Sequence, residues 1–182
     1  MKNQLEATNY SVIEALMRRR SVREYDQGKE IPEETLNTII HAAMFAPSFE
    51  NRRPWHFMVI SYKHMLSLIK ETLAKDFEFE AKALIIVCTD TTLDNQKGWW
   101  IQDCAAATQN ILLAAHGLGL ASCWYGIHPV KHRKELLKKN LHLPKSIQPF
   151  SIVTLGYPAK ANDTHPRTAE RIDRYKIHFN NW

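Results

Sequence analysis

The segment from Trp99 to His116 is apolar or small on nearly every face. A helix without a wide polar face has to be buried on more than one side. In a chain of 182 residues, this pattern indicates a helix packed at the centre of a dimer. The side chains that form the pattern are Ile101, Cys104, Ala105, Ala106, Ala107, Ile111, Leu112, Leu113, Ala114 and Ala115.

Four other helices are predicted from helical spacing and end signals. The first starts near Ser11 and carries an apolar stripe of Val12, Ile13, Leu16 and Met17. The second opens at Pro32, a residue tolerated in a first turn, and Pro47 ends it. Its expected inner face is Leu36, Ile39, Ile40, Ala43 and Met44. The remaining two are expected at 62–73 and 129–140.

Strands are predicted between these helices, because apolar runs of strand length alternate with them along the chain. Ala83 to Thr89 is continuously apolar, which is typical of a strand covered on both faces. The others are expected at Trp55–Ser61, Leu120–Tyr125 and Gln148–Gly156. No internal repeat is present, so the class is α+β or mixed α/β.

Composition favours one folded domain over residues 1–182, since 45% of the residues are hydrophobic and 24% charged. No apolar run reaches the roughly 20 residues of a membrane span, and the N-terminus has no signal-like stretch, so we expect a cytoplasmic protein with no membrane partner. After Pro158 the chain is polar, yet it ends in Tyr175, Ile177, Phe179 and Trp182. We expect residues 165–182 to form an arm docked on the domain or on its partner.

The cysteines and histidines indicate no metal site. Cys88 and Cys104 lie among apolar residues and are interpreted as core residues, and the spacing of the three cysteines favours neither a disulfide framework nor a zinc site. Cys123 could act as a nucleophile, but no histidine is an evident base for it. His128 and His132 have the spacing of a metal-binding helix, but Pro129 indicates that the helix starts after His128.

The segment Arg18-Arg19-Arg20-Ser21-Val22-Arg23 places four guanidiniums and a hydroxyl where a helix gives way to an extended segment. Such forks of donors match phosphate geometry. Cations at a helix C-terminus are also favourable against the helix dipole, so a solvated helix end is the alternative. The net charge of +5 suits an anionic ligand. Nucleic acid is not expected, because no zinc finger, RNP-type motif or convincing helix-turn-helix is present.

Two further stretches could bind a ligand. Ala46 to Trp55 joins a helix to a strand through two prolines that would hold Ser48 and Asn51 in place, although an ordinary turn has the same composition. Gly117 to Gly126 contains glycines that could admit a flat ligand close to the backbone. These glycines lie at a helix end, where they are usually caps, so they do not form a dinucleotide fingerprint.

These stretches therefore offer cationic and backbone groups for binding, with little evident acid–base or nucleophilic equipment. This balance favours a protein whose chemistry is supplied by a cofactor that is anionic at one end and flat at the other.

Together the motifs resemble the nitroreductase family of FMN-dependent oxidoreductases. The matching segments are RRRSVREY at 18–25, APSFENRRPWHFMVI at 46–60, DCAAATQNILLAAHGLGLASCW at 103–124, GYPA at 156–159 and the ending from Arg171. The resemblance implies an α+β homodimer with a mainly antiparallel central sheet flanked by helices, exchange of the C-terminal arms, and two FMN sites at the subunit interface.

The resemblance also implies which residues bind the cofactor. Arg19, Arg20, Ser21 and Arg23 match the segment at the phosphate and the polar flavin edge. Pro47, Ser48 and Asn51 match a loop that reaches the flavin from the other subunit, and Trp124, Tyr125 and Gly126 match the backbone near flavin N5. Arg171 matches a basic residue at the phosphate, with Arg167 and Arg174 as alternatives.

Two positions depart from the family pattern. Arg53 stands where glutamine is common before Pro-Trp, and it could pair with the flavin carbonyl edge, the phosphate or an anionic substrate. Phe49 replaces a residue that is often small, which would narrow the pocket.

The implied activity is a ping-pong transfer of hydride from NADH or NADPH through the flavin to a small electron-poor acceptor, such as a nitroaromatic or a quinone. No side chain is assigned as an obligatory catalyst. An FMN-binding or flavin-delivery protein without catalysis is the alternative.

Overall fold

The computed structural model describes residues 11–93, 98–159 and 173–182. It contains each predicted helix and strand. The helices are α1 (Val12–Arg18), α2 (Glu33–Met44), α3 (Lys63–Thr72), α4 (Trp100–Gly117) and α5 (Lys131–Asn140). The strands are β1 (Trp55–Ile60), β2 (Ala83–Asp90), β3 (Ala121–Gly126) and β4 (Ile147–Gly156). Helix α5 begins after the predicted Pro129, because Val130 is its extended N-cap residue.

The four strands form one antiparallel sheet in the order β1-β2-β4-β3. The α+β class with an antiparallel central sheet is therefore confirmed. The register between β2 and β4 shifts between Val87 and Cys88. Outside the strands, Ser21 makes a parallel bridge to Ser122, and this places the N-terminal segment beside β3.

Strand β2 is buried on both faces, as its continuous apolar run predicts. Ala83, Ile85 and Val87 belong to the core on the α2 and α4 side. Leu84, Ile86 and Cys88 belong to a second core on the α3 and α5 side. The sheet thus separates two apolar layers, and a cavity described below lies on the second side.

Helix α4 packs between the sheet and α2, so it is covered on two sides within one chain. The predicted burial on more than one side is confirmed. Its polar residues take part in this packing, since the Asn110 side-chain amide donates to the Ala42 carbonyl of α2 at 3.0 Å. Because α2 supplies the second cover, the apolar pattern of α4 no longer requires a partner chain, and the dimer stays a prediction.

The surface differs from the sequence prediction in two helices. The α1 stripe is exposed in the single chain, with Val12 at 73% and Met17 at 59%, while Ala15 is the buried residue of this helix. Met44, predicted on the inner face of α2, is half exposed at its end. Helical spacing identifies an apolar stripe but not the surface that covers it.

The described part of the C-terminal arm, residues 173–182, lies at the surface. Tyr175, Ile177, Phe179 and Trp182 are all exposed, and Trp182 is 99% accessible. These four side chains do not dock on their own domain. The alternative, that the arm docks on a partner, stays a prediction. Residues 165–172 of the predicted arm lie outside the described residues.

Within the described ranges, no helix combines the length and the apolar character needed to cross a lipid bilayer.

Candidate functional site

The arginine segment leaves α1 in an extended conformation. Ser11 and Glu14 form a capping box at the start of α1, in which the Glu14 amide donates to the Ser11 hydroxyl at 3.2 Å and the Glu14 carboxylate accepts from the Ser11 amide at 3.0 Å. The helix ends at Arg18, and Arg19 has an extended backbone with φ −52° and ψ 137°. The side chains after Arg18 therefore alternate from one side of the segment to the other.

This segment is attached to the sheet beside β3. The Val22 amide donates to the Ser122 carbonyl at 2.9 Å. The Tyr25 hydroxyl donates to the Val22 carbonyl at 2.7 Å and also lies 2.6 Å from the Thr154 hydroxyl of β4. Burial raises the pKa of Tyr25 well above its usual range, so its hydroxyl stays protonated and can continue to donate.

The arginine segment passes beside Cys123 of β3, because Ser21 and Val22 both pair with the neighbouring residue Ser122. Burial raises the pKa of the Cys123 thiol, and the guanidiniums of Arg23 and Arg19 and the Ser21 hydroxyl oppose that rise. Burial and then the positive charge of Arg19 also lower the pKa of His116 in α4. The segment therefore groups several cationic donors beside the start of β3, as expected of a site for an anion.

A cavity of about 500 Å³ lies beside Arg23. Cavities of this size are in the range that holds small ligands. Its walls are Arg23, Lys70, Ala74, Phe77, Glu78, Phe79 and Glu80. One cation, two phenylalanine rings and two carboxylates thus face a shared space, with a further cation, Lys70, paired to Glu80.

The cavity adjoins the end of β3 through Tyr125. The Arg23 guanidinium lies 5.9 Å from the centre of the Tyr125 ring. The same ring meets Phe77 edge-on at 4.9 Å, and its hydroxyl donates to the Glu78 carbonyl at 3.4 Å. The structure therefore brings together Arg23, Tyr125 and the segment 74–80.

The segment 74–80 is the part of the site that sequence reasoning missed. It follows α3 without regular structure, and its alternation of phenylalanine and glutamate is the signal that could have marked it. Its position against β3 depends on the fold of the whole sheet.

The other residues of the Trp124–Gly126 stretch point to different places. The Trp124 ring lies on the opposite face of the sheet from Tyr125 and contacts Phe150 at 5.9 Å. The Gly126 carbonyl accepts a hydrogen bond from Arg133 of α5 at 3.0 Å. Of these three residues, Tyr125 is the one whose side chain contacts a residue of the cavity wall, Phe77.

The loop from Pro47 to Pro54 has an unusual backbone. Glu50, Asn51 and Arg53 have positive φ angles of 50°, 54° and 50°. Such residues cost on the order of 1 kcal/mol or more each and persist where the surroundings fix them. Here the Arg53 amide donates to the Ser48 hydroxyl at 3.0 Å, and the Arg53 Nε donates to the Asn51 side chain at 2.8 Å.

The other face of this loop is attached to the start of α4. The Phe49 amide donates to the Asp103 carboxylate at 2.9 Å, and the Phe49 ring stacks on Trp99 at 5.0 Å. Phe49 is therefore used in packing within its own chain. Ser48 is half-buried, whereas Pro47, Asn51 and Arg53 are exposed.

Within one chain the loop does not reach the cavity. It precedes β1, whereas the arginine segment lies along β3, and these are the two outer strands of the sheet. Three inter-strand steps separate them, about 14 Å. The structure thus unites two of the three predicted stretches and leaves the third at the opposite edge.

Two predicted arginines lie apart from these groups. Arg20 of the arginine segment is half-buried. Arg171, with its alternative Arg167, lies outside the described residues, and Arg174 is exposed on the C-terminal arm.

The cysteines and histidines behave as core and surface groups. Cys88, Cys104 and Cys123 are fully buried free thiols, and burial raises the pKa of Cys88 to about 12. The interpretation of Cys88 and Cys104 as core residues is confirmed. Because the pKa of Cys123 is also raised, it is a thiol at neutral pH, which argues against a nucleophile. His132 is exposed and contacts Asp76, and His128 precedes α5 as predicted.

The model of the nitroreductase family matches residues 16–92 and 63–157. A protein of Methanothermobacter thermautotrophicus named as an NADH dehydrogenase/NAD(P)H nitroreductase is 41% identical, covering 97% of this chain and 91% of its own. The chain belongs to the nitroreductase family.

Solved structures have the same fold. An FMN-dependent nitroreductase from Clostridium difficile superposes with a TM-score of 0.84 at 29% identity, covering 93% of this chain and 99% of its own. A nitroreductase from Bacteroides fragilis with bound FMN gives 0.71 at 30% identity, covering 94% and 100%.

Proposed function

We propose that this chain is an FMN-dependent oxidoreductase that uses NADH or NADPH to reduce a small electron-poor acceptor, such as a nitroaromatic or a quinone. The observation that carries the proposal is the attachment of the arginine segment along β3, with Arg23 lining the cavity. Membership of the nitroreductase family and relatives named for FMN and NAD(P)H support it. A cytoplasmic location, where NADH and NADPH are available, belongs to the same proposal.

The residues of this site have the chemistry that FMN requires. Arg19, Arg20 and Ser21 are donors suited to a phosphate, since guanidiniums bind phosphate oxygens in pairs. The cavity has phenylalanine walls for a flat ring, and Arg23 can reach a polar ring edge from the same segment. The donor set and the cavity therefore fit the cofactor.

When bound, FMN would supply the chemistry, which is to take up hydride from the nicotinamide and pass it to the acceptor. Arg23 stabilises negative charge at the polar edge of the ring, because a guanidinium close to a developing anion lowers its free energy. The backbone of Tyr125 and Gly126 orients the ring, and the buried Tyr125, whose pKa is raised by burial, stays neutral. We expect the reductant and the acceptor to use this site in turn, in a ping-pong order.

A homodimer completes the proposal. It would carry Pro47, Ser48, Asn51 and Arg53 of one chain to the cavity of the other, which the chain's own loop does not reach. Exposed apolar side chains supply a surface for such an interface: Val12, Ile13, Met17, Met44, Phe45 and, on the arm, Tyr175, Ile177, Phe179 and Trp182. Exchange of the arms would also bring Arg171 to the phosphate.

The first experiment is reconstitution of the purified protein with FMN, followed by its visible spectrum. Arg19→Ala and Arg23→Ala should weaken FMN binding about 10- to 100-fold, since a charge-assisted hydrogen bond contributes about 1.5–3 kcal/mol. Lys139→Ala is the matched control, because Lys139 is an exposed cation of α5. A protein that stays colourless after reconstitution, or equal affinity in all three variants, would contradict the proposal.

The second experiment separates catalysis from storage of the cofactor. Oxidation of NADH or NADPH is followed with a panel of nitroaromatics, quinones and free flavin. FMN binding without any oxidation would indicate the alternative, an FMN-binding or flavin-delivery protein. Sedimentation as a monomer at micromolar concentration would exclude the shared site.

A further inference from the structure

Arg133 of α5 connects the segment that carries the cavity residue Phe77 to the end of β3. Its Nε donates to the Asp76 carboxylate at 2.9 Å, and its Nη1 donates to the Gly126 carbonyl at 3.0 Å. Its guanidinium also lies 4.4 Å from the centre of the Phe77 ring. One planar group therefore contacts the segment 74–80 and the end of β3 at the same time.

The position of Arg133 is electrostatically unfavourable without a partner. It lies in the first turn of α5, where the helix dipole disfavours a cation. The negative charge of Asp76 offsets this unfavourable interaction of the Arg133 cation with the helix dipole. The hydrogen bonds from Arg133 and then from His132 lower the pKa of Asp76 below its usual range. The carboxylate thus stays charged at neutral pH and keeps the guanidinium oriented.

Glycine at position 126 has no explanation in the packing of this chain. A Cβ there would meet the His128 carbonyl at 3.8 Å, an ordinary contact, and the Gly126 backbone is not left-handed. Alanine would therefore fit. Close approach of a ligand would explain glycine at this position. The peptide that follows Gly126 is held on both sides, since the Ile127 amide donates to the Phe150 carbonyl at 3.0 Å and the Gly126 carbonyl accepts from Arg133.

We propose that Arg133 is a positioning residue that fixes the Gly126 peptide and the Phe77 wall for the flavin ring. This inference rests on the proposed function. The Arg133 guanidinium does not touch the cofactor. It acts through the Gly126 carbonyl, which sets the direction of the neighbouring backbone, and through Phe77, whose ring contacts Tyr125. Asp76 holds Arg133 in the orientation that allows both contacts.

The test compares Arg133→Met and Arg133→Lys with two controls. Lys131→Gln removes an exposed cation from the same turn of α5, and His132→Gln removes the other side chain that contacts Asp76. Arg133→Met should weaken FMN binding about three- to tenfold, in line with the loss of one oriented hydrogen bond. The FMN affinity of Arg133→Lys should lie between those of the wild type and Arg133→Met, because one ammonium cannot contact both Asp76 and Gly126. Both controls should bind FMN as the wild type does.

Two readouts distinguish positioning from general stability. The amide signal of Gly126 in the nitrogen-15 NMR spectrum of the FMN-free protein should move in Arg133→Met and not in the controls. The midpoint potential of the bound flavin should shift in Arg133→Met while the KM for the nicotinamide is retained. Unchanged Gly126 signal and potential in a folded Arg133→Met protein would overturn the inference and leave the proposed function intact. A wild type that binds no FMN would instead overturn the proposed function.

Discussion

The Tyr25 ring lies directly on the backbone of Gly156. A Cβ built at position 156 would lie 2.7 Å from the Cβ, Cγ and Cδ1 atoms of Tyr25. Tyr25 is buried, and its hydroxyl is bonded to the Val22 carbonyl and to the Thr154 hydroxyl. The main chain holds one end of the ring and these hydrogen bonds hold the hydroxyl at the other, so the ring cannot move aside. The packing of Tyr25 on Gly156 therefore fixes the segment that carries Arg23.

Gly156→Ala should therefore destabilise the protein by about 1–3 kcal/mol, which is typical of an overpacked core. The substitution forces either the Tyr25 ring or β4 to shift. Urea unfolding followed by circular dichroism measures the change in the free energy of unfolding. FMN affinity should fall in the same variant, since Tyr25 anchors the arginine segment.

Gly117→Ala is the control for that experiment. A Cβ at Gly117 would meet nothing within 4 Å, and this residue ends α4 in a helical conformation. The control should unfold at the same or slightly higher urea concentration, because alanine favours a helix over glycine by about 0.5–1 kcal/mol. Equal stability of Gly156→Ala and the wild type would show that Tyr25 is mobile.

The three cysteines should be inert in the folded protein. All are fully buried, burial raises the pKa of Cys88 to about 12, and burial also raises the pKa of Cys104 and of Cys123. Because the thiolate is the reactive form, iodoacetamide at neutral pH should label almost none of them, and all three after unfolding in guanidinium. Mass spectrometry counts the labels. Selective labelling of Cys123 would mean that the arginine segment detaches from β3.

Asp76 should make stability depend on pH at the acid end. Its pKa is lowered in the folded state from the ordinary value of 3.8, by hydrogen bonds from Arg133 and His132. The folded state therefore binds a proton less readily than the unfolded state, so the contribution of Asp76 is full above about pH 5 and is lost as the pH falls through the folded pKa. Asp76→Asn should be less stable than the wild type near neutral pH.

The difference in unfolding free energy between these two proteins, measured in urea at a series of pH values, should shrink below the ordinary pKa. A difference that stays constant over the whole acid range would assign the loss to packing instead.

Arg53 should favour anionic acceptors. Its Nε is held by Asn51, which leaves the remaining guanidinium nitrogens at an exposed surface. Arg53→Gln should lower kcat/KM for 4-nitrobenzoate about five- to tenfold relative to nitrobenzene, because a charge pair at 4 Å is worth about 1 kcal/mol in water. Arg52→Gln, at the neighbouring cation that pairs with Glu50, is the control. An equal loss for both acceptors would point to a contact between Arg53 and the flavin.

Helices and strands with long patterns could be predicted from the sequence. The continuous apolar run of β2 predicts a strand buried on both faces, and the small, apolar composition of α4 predicts a helix buried on more than one side. The observed ends of both elements lie close to the predicted ones. The cover of α1 could not be predicted, because the spacing of Val12 and Met17 is the same whether the stripe faces a core, a partner or solvent.

The candidate site was only partly predictable for a similar reason. The residue types of the arginine segment indicate an anion, but Phe77 and Arg133 join the site through contacts between distant parts of the chain. Likewise, the composition of the loop after α2 predicts a turn, but not the left-handed conformation of Glu50 and Arg53. This loop is also attached to a distant part of the chain, through the bond from the Phe49 amide to Asp103.

The bond between Val22 and Ser122 also covers part of a sheet edge to which another chain could add a strand. Strand β3 is at the edge of the sheet, and an uncovered edge offers free amides and carbonyls to any other chain. The arginine segment lies along this edge and occupies part of it. A substitution that loosens the segment would expose a template for aggregation as well as weaken the binding of a ligand. The soluble yield of each arginine variant therefore carries information about the same contact as its affinity.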